Sequence, residues 1–495
     1  MTSDIKHINK KMAKGSAWMV LFKVMEKFIS IFSTIILARL LAKEDFGLVA
    51  MAMVVVALLD LFRTFGFDMA LIQNQNATDK HYNTAWTFNI IAAVVISLML
   101  LALTPLAVSF YNDSRLESII PVLAFGVFVS GFENIGIVAF RKDLTFHKDF
   151  AYLISKKFIS FIVAIGLALY FGNYWALIGA FVATRISIVI LSYYVQSYRP
   201  RLCMKKSKEL FSFSGWIFVN NIFAFINMKI PEVILGKYLG AATLGVFSVS
   251  RDITYSTSGA LVLSVNRATF PGYSKLNNNL DALKDSVLNT LGLLGLIIIP
   301  ASAGFSAIAP VMVPVLLGDQ WLESIPVIQV LAYAGLLFAV ANLTSTYLAL
   351  GKPHINSAIV AIRSVISIPI IWYACTEYGL NAVAWSLLLI SVILIPISYA
   401  PAIKLIHLKI SEILAVYIRP VIATTLMILA IEYSFQAYID NPSKAYNIID
   451  LVLMIIIGAI VYPASLLLLW SVVGKPAGSE QQYIDMFKKK ILKKT

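Results

Sequence analysis

Long apolar runs, separated by short polar stretches, recur along the whole chain. Each run has more than twenty residues, enough to cross roughly 30 Å of hydrocarbon as a helix. Because a backbone in lipid must satisfy its own hydrogen bonds, the runs predict helices, and the short alternating segments of a transmembrane barrel are missing. We therefore predict an all-α polytopic membrane protein of about fourteen transmembrane helices, near 14–41, 45–72, 83–110, 116–139, 150–171, 174–198, 210–237, 242–270, 287–310, 324–349, 354–376, 379–404, 413–437 and 447–473.

The amino-acid composition supports this class. Of 495 residues, 59% are apolar and only 13% are charged, whereas a soluble domain has roughly 25% charged and 45–50% apolar residues. A soluble fold of this size would need a more polar exterior.

The basic residues between the runs predict the orientation in the membrane. With a cytoplasmic N-terminus, the inner side collects 24 of the 40 Lys and Arg residues, the outer loops 5, and the spans 11. Since positive loops stay inside, we expect both termini to be cytoplasmic in a bacterial inner membrane. The net charge of +14 then faces an anionic lipid leaflet, and no nucleic acid is needed to explain it.

Familiar catalytic and cofactor motifs are missing from the sequence. It has no GxSxG, P-loop or dinucleotide turn, and no metal-ligand spacing. We expect Cys203 and Cys375 to be free thiols. The sequence thus predicts a transporter without a cofactor rather than an enzyme, with Na⁺ or H⁺ as the candidate coupling ion.

A shift of 198 residues aligns the first span with the seventh. The segment ILARLLAKEDFGLV at 36–49 then meets ILGKYLGAATLGVF at 234–247, and SAW at 16–18 meets SGW at 214–216. The shift equals six spans, so both copies have the same orientation. This predicts two pseudo-symmetric six-helix lobes, 1–205 with spans 1–6 and 206–408 with spans 7–12. Residues 409–495 would add spans 13–14 and a basic cytoplasmic tail. The identical positions are Ser16/Ser214, Trp18/Trp216, Ile36/Ile234, Leu37/Leu235, Leu41/Leu239 and Gly47/Gly245.

Several segments resemble Wzx-type polysaccharide flippases of the multidrug/oligosaccharidyl-lipid/polysaccharide exporter superfamily. They are ILARLLAKEDFGLVAMAMV, FGFDMALIQ, FSFSGW, LGKYLGAATLGVFSVSRDI, FPGYSKL and LLGDQWLESIPVIQVLA. The resemblance covers spans one to twelve and is greatest to exporters of colanic-acid-like exopolysaccharide. It implies a V-shaped pair of lobes, alternating access, and an undecaprenyl-diphosphate-linked glycan as cargo. Membrane lipids, polysaccharide polymerase and chain-length proteins are the candidate partners.

Basic residues inside the spans point to the pathway, because a charge in lipid is costly and usually faces a cavity. Lys23 and Lys27 are one turn apart, and Lys27 lies about 20 Å along the helix from Lys14, too deep to reach the headgroups. They either pair structurally with Glu26 or Asp60, or form a cationic wall that holds a diphosphate or acidic sugars.

Four arginines also lie well inside spans, and a guanidinium fork suits phosphate. Related flippases use cations in a central cavity, which favours substrate roles for Lys23, Lys27 and Arg251. For Arg185 and Arg363, burial between helices is an equal alternative. Lys156 and Lys157 read as snorkelling residues near inner helix ends. The arginine candidates are Arg63, Arg185, Arg251 and Arg363.

Acidic residues within the spans have two readings. They bind or relay a coupling ion, or they partner the basic residues structurally. The candidates are Glu26, Asp60, Asp68, Glu133, Glu232 and Asp252.

Two other functions share some of these features. A multidrug exporter of the same superfamily would have the same lobes, but a cavity for cationic drugs should be acidic. A glycan polymerase or ligase would need a large outer loop, and the longest outer loop, near 438–446, is short.

Overall fold

The computed structural model describes residues 2–61, 67–74, 76–207, 215–439, 447–474 and 481. Within these ranges the chain is mainly helical and has no strand, and the described residues of each predicted span lie mostly in helix. The helices are α1 (Thr2–Leu40), α2 (Lys43–Asp60), α3 (Phe67–Gln73), α4 (Asp79–Tyr111), α5 (Leu116–Ser130), α6 (Val138–Lys142), α7 (Phe146–Phe171), α8 (Trp175–Val195), α9 (Gly215–Lys275), α10 (Leu280–Met312), α11 (Ser324–Val340), α12 (Thr344–Ala349), α13 (Pro353–Leu405), α14 (Ile410–Ile439) and α15 (Ile448–Val472).

Two helices are too long to be single membrane spans. α13 has 53 residues and α9 has 61, so an unbroken α13 would extend about 80 Å, well over twice the hydrocarbon thickness. Each is interrupted at one glycine, Gly379 (φ 77°, ψ −157°) and Gly240 (φ 78°, ψ −177°). Positive φ favours glycine because it has no Cβ. Gly240 falls in the predicted loop 238–241, and Gly379 is the first residue of the predicted span 379–404, so both breaks lie at predicted junctions between spans.

By length and apolar composition, nine of the described helices could cross a membrane, or ten if the bent pair α5 and Ile135–Lys142 is one span. The prediction of an all-α, multi-pass membrane protein is confirmed.

The predicted spans four and ten are both broken in the same way. Asn134 Oδ1 accepts the Gly136 N–H at 2.9 Å, and Asn342 Oδ1 accepts the Thr344 N–H at 3.2 Å. Each break is followed by a short helix and then by a residue in the left-handed conformation, Leu144 (φ 56°) after the first and Gly351 (φ 68°) after the second. The asparagines are 208 residues apart, close to the offset of 198 between the first and seventh spans. These matching turns support the predicted repeat; the lobe boundaries stay a prediction.

The chain divides into two compact units, Met1–Ser248 and Val249–Thr495. In the first unit α1 packs on α7, α7 on α8, and α5 lies between α4 and α8. The rings of Trp18 and Phe150 meet with centroids 4.8 Å apart and join α1 to α7. α1, α7 and α8 therefore form one packed group.

In the second unit α10 packs against α11, α14 and α15. Lys284 Nζ lies 3.1 Å from Glu412 Oε1, and the Tyr462 hydroxyl donates to the Leu296 carbonyl at 2.8 Å. The helix pair that follows residue 409 is thus fastened to α10 by polar contacts.

Candidate functional site

The predicted basic stripe of α1 begins at Lys23. Its Nζ lies 2.8 Å from Glu26 Oε2, one turn further along. The Lys23 side chain is 53% exposed and that of Glu26 is 33% exposed. Because an ion pair facing lipid would be costly, we expect this exposed face of α1 to border water. Lys27, partly buried, is one turn from Lys23.

Two lysines of α7 extend this group of charges. The charge of Lys157 interacts with those of Glu26 and Lys23. The adjacent Lys156 interacts mainly with Glu133 and Arg185. The pair therefore connects the α1 charges with charges contributed by the neighbouring helices.

The acidic side of the group is held by hydrogen bonds. Glu133, in the turn after α5, accepts the Tyr152 hydroxyl at 2.6 Å, and Tyr152 is 2% exposed. Arg141 Nε donates at 3.2 Å to Oδ2 of Asp149, which is buried. Fixed in this way, the carboxylates offset part of the positive charge around them.

Arg185 on α8 completes the group. Its guanidinium carbon lies 4.9 Å from the centroid of the Phe181 ring, one turn back on the same helix. A cation over an aromatic face is stabilised by the ring quadrupole. The residue is partly buried, as the burial reading of the sequence expects, but it stacks on an aromatic ring.

We call these side chains the α1–α7 charge cluster. It has five basic and three acidic members, an excess of two positive charges. The sequence singled out Lys23, Glu26, Glu133 and Arg185 as candidates, but it assigned Lys156 and Lys157 to snorkelling and did not include the remaining two members. Adjacent lysines ten residues into an apolar helix, about 15 Å from its start, could have identified Lys156 and Lys157. The members are Lys23, Glu26, Glu133, Arg141, Asp149, Lys156, Lys157 and Arg185.

Two further predicted arginines come together in the second unit. The Tyr255 hydroxyl interacts with the charges of Arg251, one turn before it on α9, and Arg363 on α13. The Arg363 guanidinium carbon lies 4.7 Å from the centroid of the Phe338 ring. The stacking of Arg185 in the first unit is thus repeated in the second.

The remaining candidates lie elsewhere. Glu232 is buried and pairs with Lys229 Nζ at 2.7 Å, so its structural reading is favoured. Asp60 is the last residue of α2, and Asp252 is exposed on α9. Arg63 and the Asp68 side chain lie outside the described part, as does nearly all of the tail that follows α15. Within that part, no group of three or more His, Cys, Asp and Glu side chains could hold a metal ion.

The chain is similar to known proteins along most of its length. Residues 36–326 match the model of a family described as "Polysaccharide biosynthesis protein". The chain is 23% identical over 406 residues to the "Lipopolysaccharide biosynthesis protein WzxC" of Escherichia coli (strain K12), covering 80% of this chain and 82% of that protein. It is 22% identical over 466 residues to the "Succinoglycan biosynthesis transport protein ExoT" of Rhizobium meliloti (strain 1021), covering 93% of each.

A solved structure shares the fold. The chain superposes on "Lipid II flippase MurJ, inward closed conformation" with a TM-score of 0.73 and 12% sequence identity. The match covers 93% of this chain and 99% of that one. The match shows that the chain shares the fold of that protein.

Proposed function

Because the chain belongs to the polysaccharide biosynthesis protein family, we propose that it flips undecaprenyl-diphosphate-linked oligosaccharide repeat units from the cytoplasmic to the periplasmic leaflet by alternating access. Membership of that family confirms the predicted resemblance to Wzx-type flippases. Two relatives are named as proteins of lipopolysaccharide biosynthesis and of succinoglycan transport, and a structural neighbour is named as a flippase. Two of these names, the transport protein and the flippase, describe transport.

The positive excess of the α1–α7 charge cluster carries this proposal. An anionic diphosphate is attracted by five basic groups that outnumber three carboxylates. The same excess of positive charge would repel a cationic drug. The observation therefore supports the multidrug-exporter alternative less well. A polymerase or ligase finds no support among the relatives, which are named for biosynthesis and transport.

We further propose a bacterial inner-membrane location with both termini cytoplasmic, as the distribution of Lys and Arg indicates.

A Na⁺ or H⁺ gradient would drive transport. Of the predicted coupling acids, Glu26 and Glu133 belong to the cluster, and each is held by a partner, Lys23 or Tyr152. We expect Glu26 and Glu133 to act first as charge partners. A polymerase and a chain-length protein would receive the exported units.

Neutralising two lysines tests the role of the cluster. Lys156→Gln with Lys157→Gln leaves three basic and three acidic members and removes the excess. Because hydrogen bonds to charged groups contribute about 1.5–3 kcal/mol each, we expect export to fall roughly tenfold or more. Surface polysaccharide and the amount of protein in the membrane are measured together.

The matched control is Lys80→Gln with Lys404→Gln, two exposed lysines outside the cluster, which should export normally. A purely structural role would instead reduce membrane abundance, and Glu133→Gln would restore it. Normal export by an abundant Lys156→Gln, Lys157→Gln variant would contradict the proposal.

A further inference from the structure

A cavity of about 130 Å³ lies within the Val249–Thr495 unit, beside the break between α11 and α12. α11 ends at Val340 and α12 begins at Thr344. Irregular backbone at membrane depth is tolerated where it lines a cavity, and broken helices commonly form the binding sites of transporters. The polar part of its lining consists of Asn342, Thr344, Asn356, Arg363, Ser391 and Ser398.

In the hydrogen bonds around this cavity the side-chain oxygens of two asparagines accept, so their NH₂ groups remain available as donors. Asn342 Oδ1 accepts from Asn266 Nδ2 at 3.1 Å and from the Thr344 N–H at 3.2 Å. The second donor is a backbone amide, which can only donate. The Asn342 side-chain atom that faces it must therefore be the oxygen and not the NH₂ group. Thr344 Oγ1 donates to Asn356 Oδ1 at 2.9 Å. Among the described residues, neither Asn342 Nδ2 nor Asn356 Nδ2 donates to a protein acceptor.

Arg363 adds a positive charge to these donors. It lies ten residues after Pro353, about 15 Å along α13, which is half the hydrocarbon thickness. In the part of the chain that the structure describes, no carboxylate lies within ion-pair distance of its guanidinium. Its neighbours are the Phe338 ring and Tyr255. A charge at this depth is costly without a counter-ion.

We infer that the cavity binds one oxyanion group, a carboxylate or a phosphate monoester, most simply that of an acidic sugar in the cargo. A guanidinium fork and two amide NH₂ groups match the two oxygens of such a group. The cavity lining contains no Asp or Glu among the described residues, so a coupling cation would find no ligand charge. One basic residue balances the charge of a carboxylate and part of that of a phosphate monoester, and the diphosphate needs the larger α1–α7 charge cluster. The cargo as source rests on the proposed function, whereas the site itself does not.

A structural role of Arg363 makes a different prediction. Phe338 is in the last turn of α11, where a cation stabilises the carbonyl end of the helix dipole. If that is all Arg363 does, its removal lowers the midpoint of thermal unfolding, and added anions change nothing.

Binding is tested on the purified full-length protein in lipid nanodiscs. Glucuronate is the probe, and glucose is its neutral counterpart with nearly the same shape. We expect glucuronate to bind by calorimetry and to raise the midpoint of thermal unfolding, and glucose to do neither. Arg363→Gln should weaken glucuronate binding about tenfold or more, because it removes a charge-assisted hydrogen bond.

Two variants sharpen the test. Asn356→Asp has nearly the same shape but replaces the NH₂ donor with a second carboxylate oxygen, so it should repel glucuronate. Arg115→Gln makes the same chemical change as Arg363→Gln in a loop, at an arginine that pairs with Asp113 at 2.7 Å, and should bind glucuronate normally.

Competition identifies the source of the anion. Glucuronate displaced only by other acidic sugars supports a glycan ligand, and equal displacement by inorganic phosphate supports a free oxyanion at the same site. Equal glucuronate binding by wild type and Arg363→Gln, or no binding by wild type, would overturn the site. The measurement needs no flipping, so it is independent of the outcome for Lys156 and Lys157.

Discussion

A single buried hydroxyl holds one of the carboxylates in the α1–α7 charge cluster. Tyr152 donates to Glu133 at 2.6 Å. Tyr152→Phe would remove this partner and leave the carboxylate with one hydrogen bond fewer, so we expect a loss of about 1–3 kcal/mol in the free energy of unfolding. Thermal unfolding in detergent would measure it as a lower midpoint.

The same helix supplies the control for this prediction. Tyr170 is 83% exposed, so Tyr170→Phe should leave the midpoint unchanged. If both substitutions have equal effects, the hydrogen bond to Glu133 does not contribute to stability.

The two cysteines should differ sharply in reactivity. A hydrogen bond from the Lys205 backbone lowers the pKa of the partly exposed Cys203 thiol, whereas Cys375 is 1% exposed. Since the thiolate is the reactive form, Cys203 should react with a maleimide at pH 7 faster than an ordinary exposed thiol. The labelling rate rises with pH until the thiol is fully ionised. For Cys203 this plateau should begin at a lower pH than for an ordinary thiol, whose pKa is about 8.5.

A membrane-impermeant maleimide applied to right-side-out and inside-out vesicles checks both points. Cys203→Ser should abolish labelling, and Cys375→Ser should leave it intact. Labelling that survives in Cys203→Ser would show that Cys375 is accessible.

For single residues, the sequence predicts the position of charged side chains better than it predicts the residues that they contact. The depth of Lys23 and Arg185 along apolar helices follows from counting residues, and Phe181 is one turn from Arg185 on the same helix. Phe338 lies on a different helix from Arg363, so only tertiary packing could identify it. Arg141 and Asp149 pair across a turn whose geometry depends on the left-handed Leu144.

Among the helices, α2 and α9 approach each other through two glycines. A Cβ on Gly47 would lie 1.7 Å from the Ala241 carbonyl oxygen, and one on Gly245 would lie 1.8 Å from that of Lys43. All four residues belong to the Met1–Ser248 unit. The repeat offset of 198 residues converts one contact into the other, since it relates 43 to 241 and 47 to 245. The contact therefore supports the repeat predicted from the identical glycines.

Even a methyl group should disturb this crossing. The neighbouring atoms at Gly47 are backbone, so they cannot move aside as a flexible side chain would. We expect Gly47→Ala to destabilise the protein by about 2 kcal/mol or more, measured by thermal unfolding. Gly166→Ala in α7 meets nothing within 4 Å and should be neutral or stabilising by about 0.5–1 kcal/mol. Equal midpoints for the two variants would argue against a close helix crossing.

The helices themselves follow from the apolar runs, but their interruptions do not. Apolar residues continue through Ala341 and Leu343, so hydropathy alone predicts one unbroken span at 324–349. The break depends on Asn342, whose side chain takes the hydrogen bond of a backbone amide. An asparagine within a span is a weak signal, and only the matching turn at Asn134 gives it weight.

For the molecule as a whole, the number of membrane crossings decides where every later loop lies. If the chain reverses at Gly240 and at Gly379, as the fourteen predicted spans require, α9 and α13 each cross twice. Lys352, before α13, and Lys404, near its end, should then both be cytoplasmic. A single crossing by α13 would place them on opposite faces.

Reporter fusions test this parity directly. We expect fusions after Lys205, Lys275, Lys352 and Lys404 to show cytoplasmic activity, and fusions after Asn112 and Gly379 to show periplasmic activity. The physical reason is the same for both outer positions: each lies between two apolar runs and few basic residues hold it inside. The fusion after Asn112 precedes both glycine breaks, so it fixes the orientation independently of them. Opposite signals at Lys352 and Lys404 would mean that α13 crosses once, and the second predicted lobe would then lose a span.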